Sequence, residues 1–377
     1  MTTSPPKTIL IVCIRLIGDV ILTTPLIGLL NEAYPDAAID MLVNRGTGEF
    51  LEKDPRVRRV LYSEGCLVGA RRTGASYLSR IFRRYDLAIN MNASDRGNLA
   101  VLFASRHWRV GIYYGNQFWK DVWKRLFFSH PIPYPFPIHY ARLCQVVAEK
   151  LGIAVTRLEA KVFCDDNDEA KVVSLLTDRA AKRNYFVIHP FARWRYKYWQ
   201  GERFAAVSDA IVEKYGLQPI WTSSPDREEI ALLHESAHLC KHQPVLVAGE
   251  LSLNQMTCLL SRSSLYVGLD TAISHLAATT GVPMVALYGP TISAWWAPWN
   301  NAGPVAQQWT LPRGTQRNGN IMVIQKDWEC VPCGRAGCDD SGMESRCMAG
   351  IEVGEVLDAV GLLLDKTPLL KGGGNAS

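Results

Sequence analysis

The chain has 377 residues, of which 48% are hydrophobic and 20% charged. This is ordinary for a globular protein with room for two domains. No apolar run is long enough to span a bilayer. The start, MTTSPPKTILIVCIRLIGDV, lacks the extended apolar region and small-residue cleavage site of a signal peptide, so the cytoplasm is the expected compartment. The net charge is +5, but Arg45–Arg125 carries 16 Lys/Arg against 7 Asp/Glu. That concentration points to an anionic partner, with a solvated surface as the other reading.

In chain order, Lys7–Ile14 reads as a buried strand and Asp19–Ala33 as a helix ending before Pro35. Strands follow at Ala38–Val43 and Val57–Tyr62, then a helix at Ser76–Arg84, a strand at Asp86–Asn90, a helix at Gly97–Ser105 and a strand at Trp108–Ile112. A Pro-rich break at His130–Pro137 precedes a helix at His139–Leu151. The alternation restarts with a helix at Asp168–Asp178 and a strand at Tyr185–His189. It continues through helix Glu202–Tyr215, strand Gln218–Thr222, helix Asp226–His238, strand Val245–Val247 and helix Leu253–Ser261. Strand Leu265–Gly268, helix Thr271–Thr279 and strand Met284–Tyr288 complete it. Thr291–Asn320, rich in Trp, Pro, Gly and Asn, reads as irregular, and Val353–Leu364 as a last helix.

Two α/β units with mostly parallel, doubly wound sheets are therefore expected. The divisions are 1–165, a junction at 166–183, 184–352 with a cysteine-containing loop at 330–347, a helix at 353–366 and a flexible tail at 367–377. A ligand site is expected in a cleft between the two units.

Candidate chemistry sits in the turns after the strands. Gly18 allows a tight turn and close ligand approach. Asp19 projects from the first turn as a candidate general base, or as a helix cap. No GxGxxG follows the first strand, which argues against a nicotinamide or flavin enzyme. HPFARWRYKYW (189–199) places cations among aromatics at a strand's end, and Lys197 there suits a diphosphate. In SSPDRE (223–228), Glu228 is placed to accept from ribose hydroxyls, or to favour its own helix. YVGLDTAISHLAATTGVPMVALYGP (266–290) reads as strand, polar turn, helix, strand. Asp270 and Thr271 fall at its helix cap, and His275 lies four residues beyond Thr271 on the same face. That turn suits a ribose or phosphate.

Three stretches in order, RLIGDVILTTPLIGLL, the Lys-Tyr-Trp after HPFARWRYK, and VGLDTAISHLAA with VPMVALYGPT, resemble the bacterial ADP-heptose:lipopolysaccharide heptosyltransferases of glycosyltransferase family 9. YGPTISAWWAPW and the late cysteines are most similar to the heptosyltransferase III subgroup. The resemblance implies a GT-B fold, with acceptor in the first domain and nucleotide sugar in the second. It implies an inverting displacement that needs no metal or cofactor. The donor would be ADP-heptose, and the acceptor a phosphorylated lipid A-core. By motif, Asp19 would be the base, Lys197 would hold the diphosphate and Glu228 the ribose. Asp270, Thr271 and His275 would line the donor site.

Cys330, Cys333, Cys338 and Cys347 are spaced C-x2-C-x4-C-x8-C. Such a set suits a structural zinc or an iron–sulfur cluster, free loop thiols being the other reading. Cys13, Cys66, Cys144, Cys164, Cys240 and Cys258 read as core or incidental. Trp119, Trp123 and Phe127 recur at i, i+4, i+8 beside Lys120, Lys124 and Arg125. The pattern fits an interfacial helix resting on the inner membrane, or a core-facing stripe. A metal-stapled nucleic-acid binder is the alternative class, but no helix-turn-helix or RNP-like motif supports it, and no nucleic-acid partner is expected.

Overall fold

Strand β1 (Thr8–Cys13) is buried along nearly its whole length, as a central parallel strand covered on both faces must be. The computed structural model describes residues 4–63, 77–115, 118–306 and 308–365. Cys66, the first residue of the helix expected from Ser76 and the tail expected at 367–377 lie outside them. The chain separates into two compact units, Met1–Asp165 with Pro304–Gln307, and Asp166–Gly303 with Gln308–Ser377.

In the first unit β1 is followed by α1 (Ile17–Ile21), α2 (Thr24–Ala33), β2 (Ala38–Asn44), β3 (Val57–Ser63), α3 (Tyr77–Ile81) and β4 (Tyr85–Asn90). Then come α4 (Asp95–Ala104), β5 (Ser105–Tyr113), α5 (Phe118–Phe127), β6 (His130–Pro133) and α6 (Arg142–Lys150). The sheet order is β3-β2-β1-β4-β5-β6, every neighbour parallel. Two expectations need correction. The single helix expected over Asp19–Ala33 is two, because Pro25 has no N–H to give the Ile21 carbonyl. The Thr24 hydroxyl takes that carbonyl instead, at 2.7 Å. The Pro-rich break contains a strand, β6, which adds to the sheet's edge, where prolines are tolerated.

Several described cations of the basic segment are committed inside this unit. Arg58 forms two bonds to the buried Asp40, at 2.9 and 2.7 Å, and Tyr85 donates to the same carboxylate. Arg56 does likewise with Asp54. Arg109 donates to the carbonyls of Ser105, Arg106 and Phe127. Lys124, expected on the rim of an apolar stripe, is buried between Asp95 at 2.8 Å and Asp121 at 3.4 Å. Within α5, Trp123 turns inward, its ring 6.0 Å from that of Phe128, whereas Trp119 (84% exposed), Leu126 and Phe127 face outward.

The second unit runs α7 (Asp166–Asp178), β7 (Tyr185–His189), α8 (Gly201–Tyr215), β8 (Gln218–Ser223), α9 (Arg227–His238), β9 (Val245–Ala248) and α10 (Leu253–Ser261). It continues with β10 (Tyr266–Leu269), α11 (Ala272–Thr280), β11 (Met284–Tyr288), α12 (Ser293–Trp296), β12 (Gln316–Asn318), β13 (Ile321–Gln325), α13 (Arg346–Ala349) and α14 (Val353–Leu364). Its sheet order is β12-β13-β11-β10-β7-β8-β9, parallel except for β12 against β13. Trp199, Phe204 and Trp221 pack edge to face in its core, and the Trp199 indole N–H donates to the Ile351 carbonyl at 3.0 Å. That bond fixes the segment leading into α14 against the loop that follows β7.

Candidate active site

Open parallel sheets bind ligands beyond the carboxyl ends of their strands, where the strand order reverses. In the second unit that point lies between β7 and β10. The loop after β7 carries Lys197 and the turn after β10 carries Asp270. Lys197 Nζ donates to Asp270 Oδ2 at 2.6 Å, and both side chains are largely shielded from water. The Thr291 hydroxyl, from the loop after β11, donates to the same oxygen at 2.5 Å. The Thr291 loop is held by Gln325, whose amide donates to the carbonyls of Gly289 at 2.7 Å and Thr291 at 2.9 Å. Neither Thr291 nor Gln325 was a sequence candidate. Gln325 ends the short apolar run Ile321–Gln325, which pairs with β11 just beyond the stretch read as irregular.

The helix cap expected from Asp270 and Thr271 forms differently. Thr271 is the cap residue of α11, but its side chain makes no capping bond, and the Asp270 carboxylate is engaged by Lys197. The Ser274 N–H bonds the Thr271 carbonyl at 3.1 Å, so the N–H groups of Ala272 and Ile273 are left to other partners, beside a lysine ammonium, which is a setting for an anion. His275, one turn further, is 6% exposed and its Nδ1 has no hydrogen-bond partner among the described residues. Burial lowers its pKa to about 4, with Asp270 opposing the shift and Lys197 adding to it, so the ring is neutral at physiological pH. Glu228 is exposed in the first turn of α9, its N–H bonded to the Asp226 cap at 2.9 Å. Its carboxylate pairs with Arg195 of the loop that carries Lys197.

In the first unit, Gly18 is not in the turn but inside α1, without the positive φ for which glycine is needed. The tight turn falls at Arg15, whose N–H bonds the Cys13 carbonyl at 3.0 Å. Asp19, in the first turn of α1, is 6% exposed. Its Oδ1 accepts from Arg15 Nε at 2.9 Å and its Oδ2 from the Leu16 N–H at 3.3 Å. Burial pushes this carboxyl above its ordinary value, opposed by the charge and hydrogen bond of Arg15 and by Leu16. A shielded carboxylate held by one guanidinium is a suitable proton acceptor.

Cys330, Cys333 and Cys338 are exposed and Cys347 is buried. Burial pushes the Cys347 thiol to about 11, with Cys338 and Cys333 adding electrostatically, and the Arg346 N–H donates to Cys338 Sγ at 3.2 Å. The sulfurs of Cys333, Cys338 and Cys347 thus lie in one neighbourhood. Among the described residues, however, no group of three or more His, Cys, Asp or Glu is arranged to hold a metal ion, so the expected zinc or cluster finds no support here. Cys164, read as core or incidental, is exposed.

Residues 78–318 match the model of glycosyltransferase family 9 (heptosyltransferase). The chain belongs to that family. As a family 9 glycosyltransferase it is similar to lipopolysaccharide heptosyltransferase 3 of Escherichia coli, 28% identical over 320 residues, covering 82% of this chain and 92% of that one. Among solved structures, a family 9 glycosyltransferase from Veillonella parvula superposes with a TM-score of 0.74 at 17% identity, covering 96% of this chain and 98% of that one. E. coli heptosyltransferase WaaC with ADP gives 0.68 at 17% identity over 94% and 99%. The two parallel-sheet units are those of the GT-B fold shared by these family 9 enzymes.

Proposed function

We propose that this glycosyltransferase moves heptose from ADP-heptose to a heptose hydroxyl of the lipopolysaccharide inner core, with inversion at the anomeric carbon. The observation that carries the reading is the Lys197–Asp270 pair at the switch point of the second unit, beside the uncapped start of α11. The names of its relatives, heptosyltransferases of lipopolysaccharide, support the donor and the acceptor class.

In this reading the ADP diphosphate lies against Lys197 and the first N–H groups of α11, with the ribose towards Glu228 and neutral His275 beside the diphosphate. The acceptor hydroxyl gives its proton to the Asp19 carboxylate. Its oxygen then bonds to the anomeric carbon as the bond from that carbon to the diphosphate oxygen breaks. The electron pair of the broken bond leaves on ADP, whose added charge Lys197 offsets. The step as proposed draws on no metal or cofactor.

A lipid-anchored acceptor places the enzyme at the cytoplasmic face of the inner membrane. Exposed Trp119, Leu126 and Phe127 on α5, with Arg125 among them, support peripheral contact there. No helix among the described residues is long and apolar enough to cross a membrane. The test of the reading is Lys197→Ala: binding of ADP and ADP-heptose by calorimetry weakens in the variant, and unchanged affinity contradicts it. A family 9 transferase with a different donor or acceptor is the second reading, favoured if ADP binds and no heptose moves.

A further inference from the structure

The sheet of the first unit reverses its order between β1 and β4. The end of β1 delivers Arg15 and Asp19 to that point, and the end of β4 delivers Asn90, Met91 and Asn92. The two strands leave the sheet side by side: the Met91 N–H donates to the Val12 carbonyl at 2.9 Å. Tyr140 closes over them, its hydroxyl donating to the Met91 carbonyl at 2.9 Å.

Asparagines build this turn. Asn90 Nδ2 donates to the Asn92 carbonyl and to Asn98 Oδ1, the latter at 2.9 Å, and Asn90 Oδ1 accepts the Asn92 N–H at 3.3 Å. Asn98 Nδ2 donates to the Ile112 carbonyl at 2.9 Å. Asn92 Oδ1 accepts the Ser94 N–H at 2.9 Å, and Ser94 in turn caps α4. Flipping the Asn92 amide would set its NH2 against the Ser94 N–H, so the orientation is fixed. Asn92 is 5% exposed, yet its Nδ2 has no partner among the described residues. The side-chain amides of Asn90 and Asn98 beside it are paired. A buried amide donor is rarely left unpaired in a folded protein, and such a group asks for a ligand.

We propose that Asn92 is an acceptor-binding residue, its Nδ2 donating to an oxygen of the sugar that receives the transferred group. The inference rests on the transfer reading given above. A carboxylate that accepts, in the helix after β1, and an amide that donates, in the turn after β4, follow two neighbouring strands and offer the two polarities that a sugar's hydroxyls need. Asp19 takes the proton of the attacking hydroxyl and Asn92 fixes an adjacent oxygen. This orients the acceptor without contributing to donor binding.

The test compares wild type with Asn92→Asp, which keeps the oxygen that Ser94 needs and removes both N–H groups, and with Asn92→Ala. Transfer from ADP-heptose to a truncated core acceptor is measured first with wild type. Its complete absence overturns the transfer reading and this inference with it. Where wild type transfers, both variants lose about 10- to 100-fold in kcat/KM for the acceptor while the KM for ADP-heptose stays within twofold. Acceptors deoxygenated one position at a time provide a measurement on the unaltered protein. One of them loses a similar factor with wild type and nothing more with Asn92→Asp. The inference is overturned if both variants keep their acceptor kcat/KM, if the change falls on the donor KM, or if no deoxygenated acceptor behaves in this way.

Discussion

Lys197 and Asp270 stand 73 residues apart in the chain, and their side chains meet at 2.6 Å where the order of the second sheet reverses. Thr291 shares the same carboxylate oxygen. Asp270 therefore fixes the ammonium in place before any anion arrives. Replacing Lys197 by Ala is expected to raise the Kd for ADP by about 10- to 100-fold, or roughly 1.4–2.7 kcal/mol. It also leaves a shielded carboxylate without its cation, so the folded state loses about 3 kcal/mol. Asp270→Asn keeps an acceptor for Lys197 and gives a smaller loss of affinity. Calorimetry with ADP and a denaturant titration check both, and equal affinities for wild type and Lys197→Ala would refute the assignment.

Asp19→Asn separates binding from turnover. Turnover is expected to fall by about 10²- to 10⁴-fold, the usual contribution of a positioned general base, with ADP binding unchanged. The carboxyl pKa is raised by burial, so the base form is lost as pH falls through a value above 3.8. The acid limb of the wild-type rate profile then lies higher than for an ordinary carboxylate. For stability the sign is opposite: a raised carboxyl pKa favours the fold most below 3.8 and loses that contribution as pH rises through the folded value. At neutral pH the variant should therefore unfold no earlier than wild type. A variant that keeps its activity removes Asp19 from the base role.

Two buried histidines tie the second unit to pH. Burial lowers the pKa of both His189 and His275 from 6.5 to about 4. Between those values the unfolded chain binds more protons than the folded one. Stability is therefore fully present above pH 6.5 and falls as pH drops towards 4, by about 3 kcal/mol for each ring. Thermal midpoints recorded from pH 7 to pH 4 should fall steadily, and His189→Gln should flatten part of the slope. A midpoint independent of pH across that window would contradict the burial argument.

Gly268 lies in β10, two residues before Asp270. A Cβ there would overlap the Tyr266 hydroxyl, which meets Ser274 Oγ at 3.1 Å across the turn between β10 and α11. Gly268→Ala is expected to cost about 1–3 kcal/mol and to weaken ADP binding, because the Asp270 turn shifts. Denaturant titration with ADP calorimetry checks this, and a variant with wild-type midpoint and affinity would show the contact to be soft.

The turn at Asp270–Thr271 was legible in the sequence because strand, turn and helix are contiguous in 266–290, and their periodicity and turn residues mark each boundary. The Lys197–Asp270 bond was not, because it depends on which strands are neighbours in the sheet. The same holds for Gln325, whose strand lies just beyond the stretch read as irregular, and for Arg15, whose partner lies in the next element. A glycine near a turn suggests that it makes the turn, but Gly18 lies inside α1 while Arg15 and Leu16 carry the turn. The Pro-rich β6 was missed because prolines argue against a strand, except at an edge. The split between α1 and α2 turns on Pro25, and the hydroxyl of Thr24 that replaces its missing donor shows only in three dimensions.

The central claim is tested most directly by incubating the wild-type protein with ADP-heptose and truncated lipopolysaccharide cores, then reading product mass and anomeric configuration. One added heptose on a heptose-bearing acceptor, a linkage inverted relative to the donor, and one ADP released per transfer are expected. Donor that binds without any heptose reaching a core acceptor, or a linkage that retains the donor's configuration, would contradict the claim.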